Sequence, residues 1–262
     1  MQLHDPTATE QYASNIQNLT DLWKAMGAQA TGPDTAPRLH ASERWPDRLW
    51  FGVDTQLERS DALRLIDVAR AAARPLILPV WSRDEPDRSR QPQATEDWSL
   101  ARELGEAGFT VTFEQTLMAL DLARWSSGAV PETEVELQPV ERDTGDWADV
   151  ASRSFGYTVP VAVTEPLIKD SGVRLLVARK DGQPVGTGLI FAQGGIAGLH
   201  MVGVVPEARR KGIARKIMLR LLDDARARGF GLATLQASAM GEGLYRGLGF
   251  RPQGRILNFQ LQ

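Results

Sequence analysis

The sequence contains no cysteine. Disulfide bonds, thiolate nucleophiles and the common cysteine-based zinc sites are therefore excluded, and we expect no metal site. A chain without disulfides suits a reducing compartment, so we expect a cytoplasmic protein. The first 21 residues are polar, and no apolar run near the start is long enough for a signal-peptide core or a membrane span. The sequence therefore predicts no membrane association.

The sequence also lacks an excess of charge of one sign. Its 30 lysines and arginines stand against 33 aspartates and glutamates, which gives a net charge of −3. The two signs are mixed along the chain, and no basic block suited to neutralising phosphates is present, so we expect no nucleic-acid partner. The hydrophobic fraction of 42% is ordinary for a globular protein that buries a core.

A length of 262 residues favours one large domain or two modest ones. Six of the seven tryptophans lie at or before Trp125, and the following residues 126–133 have a linker-like composition. We therefore predict an N-terminal α/β domain over residues 1–130 and a second domain over residues 131–262.

The first half predicts a helix over 13–28 and strands over 48–53 and 76–80. A helix containing Leu100 and Leu104 follows, and then a strand that runs to Leu122. The second half alternates more clearly, with predicted strands over 135–140, 173–179, 185–191, 199–205 and 232–237. A helix is predicted over 143–155, and a loop followed by a long amphipathic helix over 206–229. The sequence thus predicts a mixed α/β sheet.

The loop before the long helix concentrates hydrogen-bond donors. Arg209, Arg210 and Lys211 precede Gly212 and Ala214, two small residues at a predicted helix start. The first amides of a helix lack intrahelical partners, and the helix dipole is positive there, so this end can hold a pyrophosphate. The alternative is a basic helix start with a glycine for tight packing. Three cations at a helix N-terminus are unfavourable without an anion, which favours phosphate binding.

Two motifs resemble those of the GNAT acyltransferases. The pattern Val204-x-Pro206-x-x-Arg209-x-x-Gly212-x-Ala214 is similar to motif A of that family. Further on, the segment 244–250, Leu-Tyr-Arg-Gly-Leu-Gly-Phe, is similar to the family's Leu-Tyr-x-x-Leu-Gly-Phe motif. The resemblance covers residues 134–262. It implies a GNAT fold in the C-terminal half and an N-acetyltransferase that uses acetyl-CoA as acyl donor.

The resemblance also implies the cofactor-binding residues. The pyrophosphate would be held mainly by the main-chain amides of six consecutive residues, Arg210, Lys211, Gly212, Ile213, Ala214 and Arg215. Arg209 would lie at the rim of this loop. The backbone of Val202, Gly203 and Val204 would bond the pantetheine arm, as an added strand would. Ser238 stands where many members have an asparagine that contacts the cofactor.

Tyr245 is the candidate general acid, since a phenol with a pKa of about 10 is neutral at pH 7 and can donate to a leaving thiolate. The alternative is a tyrosine that only packs. By analogy, the amide of Val204 would stabilise the oxyanion. His200 is the candidate base, on the expectation that it shares a strand face with Val202 and Val204. Alternatively, Glu165 or Asp170 takes the proton, or the amine binds already neutral and uses a water chain. His200 would then be a purely structural histidine.

The acceptor region of this family lies in the first helices of the domain, here residues 147–169. Its aromatic residues Phe155 and Tyr157 line an acceptor pocket or belong to the core. The helix, Gly-Phe and strand at 103–122 echo the same order at 244–261, with Leu104 in the place of Tyr245. The N-terminal half therefore resembles a degenerate GNAT-like copy.

These observations predict direct transfer of an acetyl group, within a ternary complex, to a primary amine of a small molecule or amino acid. The alternatives are a protein or peptide N-acetyltransferase and a non-catalytic acyl-CoA-binding module. A homodimer is compatible with the sequence. A P-loop or dinucleotide protein is excluded, because the loop lacks Gly-Lys-Ser and Gly-x-Gly-x-x-Gly.

Overall fold

The structure is a computed structural model that describes residues 7–31, 38–52, 55–83 and 99–261. Residue 53, the end of one predicted strand, lies outside the described residues. The chain divides into two compact units. Unit 1 comprises Met1–Met118, Gln236–Gly243 and Pro252–Gln262, and unit 2 comprises Ala119–Leu235 and Leu244–Arg251. The boundary expected near residue 130 falls inside unit 2.

Within the described residues, unit 1 has two groups of strands and three complete helices. Its described elements are α1 (Ala8–Ala25), β1 (Ala28–Thr31), β2 (Leu39–Ser42), β3 (Leu49–Phe51), α2 (Arg59–Ala71), β4 (Leu78–Ser82), α3 (Ser99–Glu106), most of β5 (Phe109–Asp121) and nearly all of β11 (Arg251–Leu261). Strands β1, β2 and β3 form a small antiparallel sheet. In the second group β11 lies between β4 and β5 and pairs antiparallel with β4.

The helix–glycine–strand echo has the same local geometry at both places. Gly108 follows α3 with φ 88°, and Gly249 follows the helix that contains Tyr245 with φ 98°, both in the left-handed region that favours glycine. Each glycine leads into a long strand, β5 or β11. Leu104, in the place of Tyr245, is fully buried. The interpretation of the N-terminal half as a degenerate copy stays a prediction.

Unit 2 is built on a mixed sheet with the strand order β10-β9-β8-β7-β6. Its elements are β6 (Glu136–Val140), α4 (Gly145–Phe155), α5 (Val161–Thr164), β7 (Val173–Lys180), β8 (Gln183–Gln193), β9 (Ile196–Val204), α6 (Ile213–Ala227), the start of β10 (Leu232–Ala237) and the end of α7 (Glu242–Gly247). Strands β6 to β9 are antiparallel neighbours, and β10 is parallel to β9. The predicted mixed α/β fold is confirmed.

Helix α6 packs closely on β8 because two glycines leave room for it. Ile217 and Leu221, from the predicted apolar stripe of α6, are almost completely buried. A Cβ placed on Gly188 would lie 2.8 Å from Cγ2 of Ile217 and 2.9 Å from Cδ1 of Leu221. A Cβ on Gly186 would lie 2.9 Å from Cδ1 of Ile217. These close approaches fix the distance between the helix and the sheet, and with it the place where α6 begins.

We expect Gly188→Ala to lower the free energy of unfolding by about 1–3 kcal/mol, because the new methyl group overpacks a filled core. The control is Gly231→Ala, where a Cβ would meet nothing within 4 Å. Its effect should stay within about 0.5 kcal/mol, as for other substitutions away from packed sites. Denaturant unfolding of both variants measures the difference. Equal stability of the two variants would contradict the close packing of α6 on β8.

Candidate functional site

The loop between β9 and α6 presents a helix end to solvent. A short 3₁₀ turn, Pro206–Ala208, is followed by Arg210 and Gly212, both with left-handed backbones at φ 60° and 76°. Helix α6 then begins at Ile213, and the amide of Lys216 makes the first helical bond, to the Gly212 carbonyl at 3.0 Å. The amides of the first turn precede that bond and have no intrahelical acceptor. Arg210 and Gly212 are exposed, so this end of α6 is open to an anion.

Gly212 is required here for two reasons. Its left-handed backbone disfavours residues with a Cβ. In addition, a Cβ at this position would lie 3.0 Å from Cβ of Pro131 and 3.2 Å from Cγ2 of Thr133. The amine of Lys216 donates to the carbonyls of Thr133, at 3.2 Å, and Val135, at 2.8 Å. The segment predicted as a linker therefore packs along the start of α6.

Arg209 fastens the loop to its surroundings. Its Nε donates to the carbonyl of Val204 at 3.1 Å, and its Nη2 donates to the carbonyl of Ser154 at 2.8 Å. The guanidinium therefore joins the end of β9 to the last turn of α4. Its neighbours Arg210 and Lys211 are exposed, and the amine of Lys211 donates to the Glu207 carbonyl at 3.3 Å.

Strand β9 carries a bulge near its end. Leu189 of β8 pairs with His200, but Thr187 pairs with Gly203, so β9 has one residue more than its partner between these pairs. Met201 in this stretch has a left-handed backbone, with φ 52°, and its carbonyl accepts a hydrogen bond of 2.9 Å from the Thr187 hydroxyl. The bulge is therefore built into the sheet rather than a fraying end.

The parallel pair β9 and β10 separates before the bulge. The paired residues run from Ile196 opposite Leu232 to Gly198 opposite Thr234, whereas β9 continues to Val204. At the end of β9, the amide of Val205 donates to the Val185 carbonyl next to β8, at 3.0 Å. Successive amides of a strand point to opposite sides, so the amide of Val204 points away from β8. This arrangement leaves a main-chain donor on the side where the two parallel strands part.

The bulge changes the face on which His200 lies. Because His200 and Gly203 pair with residues two apart on β8, they share one face of the sheet. A Cβ on Gly203 would meet Ser154 at 2.8 Å, so this is the face that α4 covers. Val204 pairs with Gly186, which faces α6 on the other side. The expectation that His200 shares a face with Val204 is wrong, because simple alternation does not count the extra residue.

His200 is 6% exposed and lies on the side of the sheet that α4 covers. Both alternative bases, Glu165 and Asp170, are exposed. The carboxylate of Asp170 accepts a 2.7 Å hydrogen bond from the amide of Gly172 and so closes a turn. His200 is therefore the buried member of the three candidates.

Ser238 and Tyr245 lie at the two ends of the segment around α7. Ser238 belongs to unit 1, is exposed, and its hydroxyl accepts a 3.3 Å hydrogen bond from the amide of Gly241. Tyr245 belongs to unit 2 and packs edge-on against Phe250, with ring centroids 6.1 Å apart. Removal of the phenol from water raises the pKa of Tyr245 to about 12. The phenol is therefore neutral at pH 7.

Residues 147–169, where the resemblance predicts the acceptor region, include both core and surface aromatics. Trp147 is fully buried, and its indole N–H donates to the Gly188 carbonyl at 3.2 Å, so it belongs to the core. Phe155 stacks on Tyr157, with centroids 5.8 Å apart, and Tyr157 is 48% exposed. Among the described residues, no group of three or more histidines and carboxylates is placed to hold a metal ion. No described helix has the length and apolar character needed to cross a membrane.

Comparison with known families and proteins matches the second half of the chain. Residues 142–250 match the model of the acetyltransferase (GNAT) family. A curated relative, the IAA acetyltransferase of Azospirillum brasilense, is 37% identical over 87 residues. That alignment covers 31% of this chain and spans only 57% of the length of the relative.

Solved structures match nearly the whole chain. A GCN5-related N-acetyltransferase from Kribbella flavida has a TM-score of 0.65 at 19% identity, over 98% of this chain and 96% of its own. One from Sphaerobacter thermophilus has a TM-score of 0.60 at 17% identity, over 97% and 93%. A tandem GNAT protein from the clavulanic acid biosynthesis pathway has a TM-score of 0.56 at 17% identity, over 97% and 96%. At these identities the likeness establishes a shared fold.

The raised pKa of Tyr245 can be measured by comparing the ultraviolet titration of tyrosinate in the wild type and in Tyr245→Phe. The curves should coincide up to about pH 10 and separate only toward about pH 12. Because the folded pKa is the higher one, the contribution of this burial to stability is complete below about pH 10 and is lost as the pH rises through about 12. A separation centred at or below pH 10, in protein that circular dichroism shows to be folded, would contradict the burial of the phenol.

Proposed function

We propose that the chain transfers an acetyl group from acetyl-CoA directly to a primary amine of a small molecule or amino acid, because residues 142–250 match the model of the GNAT acetyltransferase family. The observation that carries the proposal is the open start of α6 beside the separated strands β9 and β10. A helix end whose first amides lack intrahelical acceptors, with two exposed cations beside it, suits a pyrophosphate. The Val204 amide, which points away from β8, suits an extended amide-containing arm.

The residues around this loop fit coenzyme A. The amides at the start of α6, with the side chains of Arg210 and Lys211, would hold the pyrophosphate over residues 210–215. The backbone of residues 202–204 would bond the pantetheine arm. Arg209 would position the loop and not contact the pyrophosphate itself, because its guanidinium already binds two main-chain carbonyls.

Helix α2 in unit 1 provides an internal contrast. Its N-terminus is occupied by its own carboxylates: Glu58 accepts from the helix backbone, and Asp61 accepts a 3.0 Å hydrogen bond from the amide of Glu58. These negative charges satisfy the helix end and would repel a phosphate. The start of α6 has cations and a glycine instead, which supports coenzyme A binding by unit 2.

Acetyl-CoA would supply an activated acyl carbon: the amine nitrogen forms the new C–N bond, the C–S bond breaks, and sulfur leaves with the electron pair. The amide of Val204 would donate to the acyl oxygen as negative charge develops on it. Tyr245 would donate a hydrogen bond to the departing sulfur. A phenol with a pKa of about 12 holds its proton more tightly than a thiol with a pKa of about 8.5, so this hydrogen bond stabilises the thiolate before any full proton transfer.

His200 is the proposed base that takes a proton from the acceptor amine, directly or through water. Its place on the α4 face supports this role, because the acceptor region of residues 147–169 begins in the same helix. A small-molecule amine is therefore the proposed partner of the site. The two alternative functions are a transferase with a peptide amine as acceptor and a module that binds acyl-CoA without turnover.

Acetyl-CoA should raise the melting temperature of the wild type, because the ligand binds only the folded state. The double variant Arg210→Glu and Lys211→Glu should lose most of this shift, since each charge-assisted hydrogen bond to phosphate is worth about 1.5–3 kcal/mol. The control Arg226→Glu makes the same kind of charge change at the exposed far end of α6 and should keep the shift. An unchanged wild-type melting curve at millimolar acetyl-CoA would contradict the proposed cofactor.

Tyr245→Phe should lower kcat by about 10–10³-fold while acetyl-CoA binding stays nearly intact, in line with typical acid–base contributions. Turnover of the wild type and of Tyr245→Phe is measured as thiol release with amines, amino acids and peptides as acceptors. The same panel identifies the acceptor class. Equal turnover of both forms would remove Tyr245 from the reaction. Tight acetyl-CoA binding by the wild type without turnover on any amine would instead favour the non-catalytic module.

A further inference from the structure

We propose that Phe155 sets the length of the acyl chain that the site accepts, as the apolar wall beside the acyl group. This inference rests on the proposed function and deepens it, since it concerns the donor thioester of that same site. It is carried by the position of the Phe155 ring against β9, immediately beyond the bulge.

The ring of Phe155 occupies the space that a side chain at Gly203 would need. A Cβ on Gly203 would lie 3.0 Å from Cζ and 3.1 Å from Cε2 of Phe155, and 2.8 Å from Cβ of Ser154. Gly203 itself is buried, whereas Phe155 is half-buried. The edge of the ring therefore lies on the main chain of β9, and the ring stays partly exposed although Tyr157 stacks on it.

This stretch of main chain adjoins the donor proposed for the acyl oxygen. Val204, whose amide points away from β8, directly follows Gly203, about 3.3 Å further along the strand. An acyl group whose oxygen accepts from the Val204 amide thus lies within one residue of the Phe155 ring. The ring is apolar and offers no hydrogen bond, so it acts on the hydrocarbon part of the acyl group and not on its carbonyl.

The end of α4 is fixed, so the ring cannot easily move aside. The carbonyl of Ser154 accepts the 2.8 Å hydrogen bond from Arg209, and Arg153 forms an ion pair with Glu207 of the same loop. Immediately after Phe155 in the chain, Gly156 ends the helix with a left-handed backbone, and its amide donates to the Ser152 carbonyl at 2.9 Å. The last turn of α4 is thus held on both sides of Phe155, and the wall is rigid.

A rigid wall excludes longer chains by overpacking, and removing it creates space for them. Burial of one methylene is worth about 0.8 kcal/mol, or about fourfold in affinity. Butyryl-CoA carries two methylenes more than acetyl-CoA. The preference for acetyl-CoA over butyryl-CoA should therefore fall by about 15-fold once the ring is gone.

The experiment measures the dissociation constants of coenzyme A, acetyl-CoA and butyryl-CoA by calorimetry, which requires no acceptor. We expect the wild type to bind butyryl-CoA more weakly than acetyl-CoA. Phe155→Ala should reduce the ratio of the two constants by about 15-fold, and Phe155→Leu, which preserves most of the packing, by a smaller factor in the same direction. The affinity for coenzyme A itself, which has no acyl group, should change little.

Phe230→Ala is the matched control, because Phe230 is also half-buried but lies beyond the far end of α6, beneath Arg228. Its acetyl-to-butyryl ratio should equal that of the wild type. An unchanged ratio in both Phe155 variants, with coenzyme A still bound, would overturn the role of Phe155 and leave the proposed function standing. If the wild type bound none of the three ligands, the proposed function itself would fail.

Discussion

The extra residue in β9 is the constraint on which the proposed site depends. A regular strand would keep its side-chain alternation to the end. The bulge at Met201 instead turns His200 and Gly203 to the α4 face and Val204 to the α6 face. Bulges commonly redirect side chains next to active sites. Here the bulge brings a main-chain donor, a buried histidine and a residue without a side chain into one short stretch of strand.

Arg209 connects this stretch to the two elements that flank it. Its two hydrogen bonds reach the last residue of β9 and the last turn of α4, and the same residue lies three positions before the glycine that opens α6. A charged donor to a main-chain carbonyl is stronger than a neutral one. Arg209 therefore links the loop proposed to hold the cofactor to the helix proposed to border the acceptor, and the Arg153–Glu207 ion pair is a second link between them.

The sequence predicted most of unit 2 because its strands are long and its turns have clear signals. Strand β10 has the predicted bounds, and Asp181 and Gly182 adopt the left-handed backbones that a two-residue hairpin turn requires. Strands β1 and β2 were not predicted, since each has only four residues and neither alternates in burial. Patterns that short carry too little periodicity to be recognised.

The candidate site, like the fold, was predicted only in part from the sequence. The loop motif located the start of α6 correctly, but local sequence could not show that Arg209 binds carbonyls or that Pro131 packs against Gly212, since these contacts join distant parts of the chain. The bulge was missed because nothing in residues 199–204 departs from an ordinary strand pattern. Phe155 was expected either to line an acceptor pocket or to belong to the core, and its position against Gly203, which supports the proposed wall, could not be read from the sequence. The assigned roles of Tyr245, His200 and Ser238 stay predictions.

The position of β11 has a consequence for how the protein is made. Within unit 1 this strand lies between β4 and β5, yet it leaves the ribosome only after the unit 2 segment Ala119–Leu235 has been made. Until it emerges, β4 and β5 have an empty place between them, with unpaired backbone groups on both edges. Unit 1 must therefore wait until the intervening segment of unit 2 has been synthesised before it completes its sheet, although domains usually fold in the order of synthesis. A nascent chain stalled before residue 251 would expose those edges to chaperones or to neighbouring chains.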